Sequence, residues 1–488
     1  MGISMKPLPA SLAAAFLLGT APLPAAEQIV ALGDSLTFAY EASFAFSKKI
    51  NGTTYGDGFG NGVRNWIEIL SSGSYRQSSF DLGARDSINI FSFINPFGNV
   101  QLYFRQKNNW AIPGLKVDQL RRFVNREATV KQILAEDPDF SSLLTALNFS
   151  DFNENTDFNV NDLETQIAGT AERLTFFIGG NDISAAYGTI YNGSSPGAFV
   201  DDFIADSAFI LDWVLARNPS IQIVVVNVPH VGITPDIQAS YPTDAIKTSR
   251  VTAVLGDLNS RLAHLATQRG LAYADIFTPT LPLLNPAPVC IHGIQFQNSG
   301  STIGDLNYVW LNGPVSANFH PNTNVQALIA NTIIDSFNRR YATGIAPLTA
   351  TEMLGGLLGK TAVAIDMTYA TWISNHGFIG ASADADSDGD GIPNGVEFGA
   401  GLDPSFGDSW KIASRIVNGA SGRELELSYP IRLTSTTRFT LRPAAAVGSL
   451  SSFVPFATPP LPGMDGLARA RVSATGPNAF LRLDCTLP

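Results

Sequence analysis

Short apolar runs alternate with longer amphipathic segments through the first two thirds of the chain. The runs are Gln28–Leu32, Leu174–Ile178, Ile221–Val228 and Leu271–Ile276. Continuous apolar runs of this length are typical of parallel strands that are covered on both faces. We therefore predict an α/β fold built on a largely parallel sheet.

The segments between and after these runs have helical periodicity. Phe199–Arg217, Val251–Arg269 and Val325–Tyr341 each place apolar residues three and four positions apart. This spacing predicts helices that pack one face against the sheet. Two insertions, 41–108 and 136–165, interrupt the alternation where α/β enzymes place substrate-contacting loops. Their phenylalanines either form an acyl pocket or belong to the core: Phe44, Phe46, Phe91, Phe93 and Phe97.

The pattern changes after Tyr341. A Gly-, Ala-, Leu- and Thr-rich stretch, 344–365, is followed by a short helical pattern at Asp366–Asn375 and an acidic run. Residues 423–442 then alternate apolar and polar positions, as strands do. We predict an α/β domain over 27–343, a linker helix with a metal loop over 344–404 and a small β-rich module over 405–488.

The N-terminus has the layout of a bacterial-type secretory signal peptide. Lys6 precedes the apolar run Leu12–Leu18, and small residues end at Ala25-Ala26. We predict a signal peptide over 1–26 and an extracytoplasmic protein. The alternative is an uncleaved anchor. No later segment reaches transmembrane length, so we expect no stable membrane insertion.

Composition narrows the functional classes. The 488 residues are 45% hydrophobic and 15% charged, with a net charge of −11. Such an acidic surface repels phosphate backbones, so we expect no nucleic-acid partner. The two cysteines, Cys290 and Cys485, either form one bridge or remain two free thiols.

A candidate nucleophile follows the first apolar run. Gly33-Asp34-Ser35-Leu36 comes directly after it, where open α/β sheets place their active-site crevice. If a helix starts there, its free N–H groups can stabilise an oxyanion. The alternative is that Asp34 and Ser35 only form a turn and cap.

Two further motifs offer oxyanion donors. Gly179-Gly180-Asn181-Asp182 follows the second run, and the Asn181 amide can donate to a developing negative charge. Gly114, which ends Asn109–Gly114, can offer a backbone N–H to the same oxyanion. The alternative for the first motif is a strand-to-helix turn capped by Asn181 or Asp182. For the Gly114 segment, a plain helix-entry turn fits equally well on local grounds.

A candidate base lies near the end of the α/β region. His320-Pro321-Asn322 precedes the last helical pattern, and proline suits a first helical turn, which places His320 on the loop before it. A serine hydroxyl needs a neighbouring imidazole to take its proton. A lone loop histidine is otherwise an exposed bystander.

In order and placement, these four motifs resemble the SGNH (GDSL) hydrolase family over residues 27–341. The resemblance assigns Ser35 as the nucleophile, Gly114 and Asn181 as oxyanion donors and His320 as the base. It implies a flavodoxin-like three-layer α/β/α fold and the hydrolysis of acyl esters. We expect no catalytic metal or other cofactor. One position departs from the family, which usually has an aspartate three residues before the histidine.

That position is Ala317 here. Three alternatives follow: a backbone carbonyl orients His320 in a Ser–His dyad, a carboxylate from elsewhere such as Asp305 substitutes, or catalysis is weak. We favour a dyad or a displaced acid. The expected substrate is a small-molecule, lipid or acylated-carbohydrate ester.

The acidic run matches the EF-hand template D-x-D-x-D-G-x5-E. Calcium takes six to eight oxygens, and this spacing supplies carboxylates, a backbone carbonyl and an amide. The candidate ligands are Asp386, Asp388, Asp390, Ile392, Asn394 and Glu397. With Pro393 after Ile392, the loop resembles dockerin-like or thrombospondin type 3-like calcium segments, which implies a structural ion. The alternative is a solvated acidic linker.

Two other functions remain open from the residues. A carbohydrate- or surface-binding protein with a weakened hydrolase domain would fit Ala317 and polysaccharide contact through the C-terminal module. Acyl transfer to a sugar would use the same residues as hydrolysis.

Overall fold

The computed structural model describes residues 26–40, 49–50, 53–54, 63–90, 100–136, 158–284, 289–291, 294–298, 300, 304–312, 317–349, 351–360, 368–405, 407, 409–419, 422–431, 440–446, 454–455, 467–474 and 480–487. The predicted signal peptide and the five insertion phenylalanines lie outside these residues, apart from Ala26. Within them, no helix combines the length and the apolar composition needed to cross a bilayer.

The four apolar runs form one parallel sheet. Its strands are β1 (Gln28–Gly33), β6 (Ala171–Phe177), β7 (Gln222–Val226) and β8 (Ala272–Ala274), in that spatial order. Every neighbouring pair is parallel. Two isolated parallel bridges, from Gln28 to Asp81 and from Ala31 to Asn109, extend the sheet beyond β1.

Both faces of this sheet are covered, which is why the strands read as unbroken apolar runs. Along β1, Val30 and Leu32 pack into one core while Ile29 and Ala31 pack into the other. Helices lie on each side, so the predicted three-layer α/β/α fold is confirmed.

The helices have the following bounds: α1 Trp66–Leu70, α2 Val117–Val124, α3 Val130–Leu134, α4 Val160–Gly169, α5 Gly180–Tyr191, α6 Phe199–Arg217, α7 Pro235–Ser240, α8 Ala245–Gln268, α9 Phe277–Thr280, α10 Thr323–Tyr341, α11 Tyr369–Asn375 and α12 Asn394–Ala400. Helix α6 has the predicted bounds. Helix α8 begins before Val251 because the Asp244 carboxylate accepts from the N–H groups of Ile246 and Lys247.

The remaining strands are antiparallel. Short hairpins decorate the α/β region: β2 (Lys49–Ile50) with β3 (Thr53–Thr54), β4 (Arg85–Ile90) with β5 (Val100–Gln106), and β9 (Val289–Ile291) with β10 (Ile294–Phe296). The C-terminal sheets contain β11 (Ala413–Gly419), β12 (Gly422–Pro430), β13 (Thr440–Ala446), β14 (Val454–Pro455), β15 (Leu467–Ser473) and β16 (Phe480–Thr486). The predicted β-rich C-terminal module is confirmed.

The C-terminal module packs on α12. Tyr429 of β12 is fully buried and shares a core with Val396 of α12. Cys485 is a half-buried free thiol.

Candidate active site

Ser35 lies on a turn directly after β1. The Asp34 carbonyl accepts from the N–H groups of Thr37 and Phe38, each at 3.0 Å. Asp34 Oδ1 accepts from the Leu36 N–H at 3.0 Å. These bonds close a tight turn here, so the turn and not a helix carries the nucleophile. Ser35 is 6% exposed.

The turn requires a glycine before it. A Cβ on Gly33 would lie 2.6 Å from the Phe177 carbonyl oxygen and 2.8 Å from Thr37 Oγ1. Contacts this short force backbone to move, so any side chain here would displace β1 from β6 or open the turn.

The Asp34 carboxyl joins this turn to the second motif. Asp34 is 1% exposed, and its Oδ2 lies 3.5 Å from where a Cβ on Gly180 would stand. Burial raises its pKa to about 6, while the N–H groups of Leu36, Gly180 and Gly179 pull the pKa down. The carboxyl therefore lies between the Ser35 turn and the start of α5.

The Gly114 segment runs beside β1. Trp110 N–H donates to the Ala31 carbonyl at 2.8 Å, and Ile112 N–H donates to the Gly33 carbonyl at 3.1 Å. Gly114 has a φ of +79°, a left-handed conformation that glycine adopts without strain. The segment thus reaches the edge of the sheet where Ser35 lies.

Asn181 and Asp182 tie α5 to this segment. The Asn181 amide donates to the Leu115 carbonyl at 3.2 Å. Because a primary amide carries two N–H groups, one is left for a developing oxyanion. The Asp182 carboxylate accepts from the Val117 N–H at the start of α2, at 3.2 and 3.3 Å.

Asp182 is a residue that sequence reasoning did not single out as functional. Burial raises its pKa to about 7, the Val117 N–H lowers it, and the charges of Asp118 and Asp34 raise it further. Its place beside Asn181 was the available signal, but the four-residue motif does not reveal that the Asp182 carboxyl is buried.

His320 is held by the loop before α10. It is 4% exposed and follows a 3₁₀ turn over Ala317–Phe319. Its carbonyl accepts from the Leu311 N–H at 3.2 Å, and Pro321 forms a bridge with Trp310. The loop backbone is therefore fixed on both sides of the imidazole.

Tyr40 links the nucleophile segment to this loop. Its hydroxyl donates to the Pro321 carbonyl at 3.1 Å and accepts from the Gln326 amide at 2.7 Å. Its ring meets the His320 ring edge-on, with centroids 6.2 Å apart. The structure thus brings the segment that carries Ser35 against the loop that carries His320.

The position where the family usually has the orienting acid is Ala317, which lies in the 3₁₀ turn. Asp305, the candidate substitute, uses its Oδ1 to accept from the backbone and side-chain N–H groups of Asn307. Asp236, at the start of α7, faces the backbone N–H of Phe319, which lowers a pKa that burial raises. The Asp236 carboxyl therefore contacts the backbone of the loop that carries His320.

The acidic loop gathers three of its six predicted ligands. Carboxylate oxygens of Asp386, Asp388 and Asp390 lie within 4.8 Å of one another. Oxygens on one calcium ion, each about 2.3–2.6 Å from it, can span that distance. Burial raises the pKa of Asp388, as do the charges of Asp390 and Asp386. The donor set fits calcium, and binding stays a prediction.

The other three predicted ligands have structural contacts of their own. The Asn394 amide accepts from the Ser387 N–H at 3.1 Å and donates to the Ser382 carbonyl at 3.1 Å. Ile392 is 8% exposed in the core shared with β12, and Glu397 is fully buried on α12. These residues fix the loop to the helix that follows it.

The sequence model of the family described as GDSL-like lipase/acylhydrolase matches residues 29–333. Among curated proteins, none matches the chain.

Solved structures that resemble this chain include three hydrolases. An extracellular lipase from Streptomyces rimosus is 15% identical, with 52% of this chain and 82% of that chain covered and a TM-score of 0.26. A phospholipase A1 from Streptomyces albidoflavus is 16% identical, with 55% and 89% covered and a TM-score of 0.28. A mutant acetylxylan esterase from Geobacillus stearothermophilus is 12% identical, with 65% and 95% covered and a TM-score of 0.27.

Proposed function

The chain belongs to the GDSL-like lipase/acylhydrolase family and is a carboxylic ester hydrolase, and we propose that it works through an acyl-enzyme on Ser35. The observation that carries this proposal is the convergence of the Ser35 turn, the Gly114 segment, Asn181 and the His320 loop at one edge of the sheet. Active sites of open α/β folds lie at this edge.

The first half of the reaction forms the acyl-enzyme. His320 takes the proton of the Ser35 hydroxyl as the oxygen bonds to the ester carbonyl carbon. The resulting oxyanion accepts from the Ser35 N–H, the Gly114 N–H and the Asn181 amide. His320 then gives its proton to the leaving alcohol oxygen, and the bond from carbonyl carbon to that oxygen breaks.

Water completes the cycle. His320 takes a proton from water as the water oxygen bonds to the acyl carbon, and the same donors hold the second oxyanion. Collapse breaks the bond to Ser35, whose oxygen recovers a proton from His320. The products are a carboxylic acid and an alcohol, and no metal or other cofactor enters these steps.

With Ala317 in place of the usual aspartate, the reaction would use either a Ser35–His320 dyad or a displaced acid. The loop that carries His320 is anchored by backbone bonds and by Tyr40, so its position does not depend on an aspartate at 317. The Asp236 carboxyl faces the backbone of this loop at Phe319.

The proposed setting is extracytoplasmic, on the basis of the signal-peptide pattern over 1–26. The proposed substrates are esters of small molecules, lipids or acylated carbohydrates. The C-terminal module would then serve contact with a polysaccharide, while a calcium ion in the acidic loop would be structural.

Hydrolysis of p-nitrophenyl acetate by the purified protein tests the proposal. We expect turnover that is lost in Ser35→Ala and retained in Ser240→Ala, which changes an exposed serine at the end of α7. If no turnover depends on Ser35, the result would favour the alternative, a carbohydrate- or surface-binding protein with a weakened hydrolase domain. Ester formation with an added sugar or alcohol, at the expense of hydrolysis, would indicate an acyltransferase.

A further inference from the structure

An apolar cavity lies next to the two chain segments that carry Ser35 and His320. Its wall includes Leu36, the residue after Ser35, and both neighbours of His320, Phe319 and Pro321. The cavity has a volume of about 40 Å³. Since one water needs about 10–15 Å³ of such a cavity, it accommodates about three groups of that size.

Apolar side chains from three parts of the fold form most of the wall. Trp310 is 3% exposed, and Val325 and Ile329 of α10 are each 6% exposed. Ile276 after β8 and Leu283 also line the cavity. A cavity lined in this way favours hydrocarbon over water.

The polar residues in the wall are bonded elsewhere. Thr234 Oγ1 donates to the Val231 carbonyl at 2.8 Å, and Thr280 Oγ1 donates to the Ile276 carbonyl at 2.6 Å. His230 Nδ1 accepts from the Gly232 N–H, and burial lowers the pKa of His230 to about 4, so its ring is neutral at pH 7. The cavity therefore offers a ligand little beyond apolar contact.

We propose that this cavity holds the acyl chain of the ester and limits that chain to about two to four carbons. The carbonyl carbon stays at Ser35, so about three further carbons fill the space. The acyl group suits an apolar space because it remains attached to Ser35 while water attacks. The alcohol must leave into solvent, and a sugar alcohol would leave its hydroxyls without partners there.

Ile329 and Thr280 set the size limit. They line the cavity from α10 and α9, and the proposed reaction assigns no role to either. Ile329→Ala deepens the cavity by three carbons, whereas Ile329→Phe fills it. Leu328→Ala is a matched control because its side chain is the next one on α10 and is 39% exposed.

The test measures kcat/KM for p-nitrophenyl esters whose acyl chains have two, four, six and eight carbons. This inference rests on the proposed function, so Ser35→Ala is measured in parallel. In the wild type, we expect kcat/KM to fall at least tenfold between four and eight carbons. Ile329→Ala should raise kcat/KM for the six-carbon acyl ester, relative to kcat/KM for acetate, by about fourfold for each additional methylene that the cavity accommodates. Ile329→Phe should lower kcat/KM for the four-carbon acyl ester more than kcat/KM for acetate. Leu328→Ala should leave the dependence of kcat/KM on chain length unchanged.

A wild-type profile without a size limit, or Ile329 variants that change all esters equally, would overturn the inference while Ser35-dependent turnover sustained the proposed function. Absence of Ser35-dependent turnover with every ester would remove both. Thermal melting identifies a variant that fails to fold, and Ile329→Val then tests the same direction by removing one methyl group.

Discussion

The buried Asp34 carboxyl should make the stability of the α/β domain depend on pH in an unusual direction. Burial raises its pKa from 3.8 to about 6. The folded state therefore binds the proton more tightly than the unfolded state does. The stability that Asp34 contributes is fully present below its ordinary pKa and is lost as the pH rises through about 6.

The magnitude follows from the size of the shift. Two pKa units at about 1.4 kcal/mol each amount to about 3 kcal/mol over the whole titration, of which roughly 2 kcal/mol falls between pH 4 and pH 7. Asp34→Asn keeps the shape and cannot titrate. The free energy of unfolding of the wild type minus that of Asp34→Asn should fall by about this amount across the interval.

Urea unfolding followed by tryptophan fluorescence at pH 4 and pH 7 measures the difference. Asp257→Asn is the control, since it removes an exposed carboxylate on α8. A difference between wild type and Asp34→Asn that stays constant with pH, or that grows as the pH rises, would refute this reasoning.

Three further predictions concern other parts of the molecule. Asn181→Ala should lower kcat roughly 10²–10³-fold with a smaller change in KM, because one oxyanion donor is lost; equal kcat would remove Asn181 from the site. Arg76→Lys should lower the thermal midpoint, since Arg76 binds both oxygens of Glu352, each at 2.9 Å. The hydrogen bonds from Arg76 lower the pKa of Glu352 to about 2. The stability that this ion pair contributes is therefore present above about pH 4.5 and is lost as the pH falls through 2. A thermal midpoint that Arg76→Lys leaves unchanged at pH 7 would contradict this prediction. Chelation of calcium should lower the melting temperature of the C-terminal region and leave Ser35-dependent hydrolysis largely intact; identical melting would remove the calcium prediction.

Much of the fold could be predicted because its cause is local. The strands of the parallel sheet are short and apolar, and Phe199–Arg217 has one apolar face over its whole length. The start of α8 was predicted too late because Val251 begins the apolar spacing, whereas Asp244 supplies the cap. A cap residue extends a helix into a polar segment that periodicity does not reveal.

The site could be predicted only in part. Ser35, Gly114, Asn181 and His320 were found because their motifs occur in order along the chain. The roles of Asp182, Tyr40 and Asp236 depend on contacts between distant segments, and no spacing encodes those contacts. Tyr40, for example, meets Pro321 across 281 positions of sequence.

The central claim is that Ser35 becomes acylated. Mass spectrometry after reaction with a fluorophosphonate tests it most directly, because this reagent labels an activated serine covalently. The account predicts one adduct on the peptide that contains Ser35, absent in Ser35→Ala and formed much more slowly in His320→Ala. Labelling of another residue alone, with ester hydrolysis unchanged in Ser35→Ala, would contradict it.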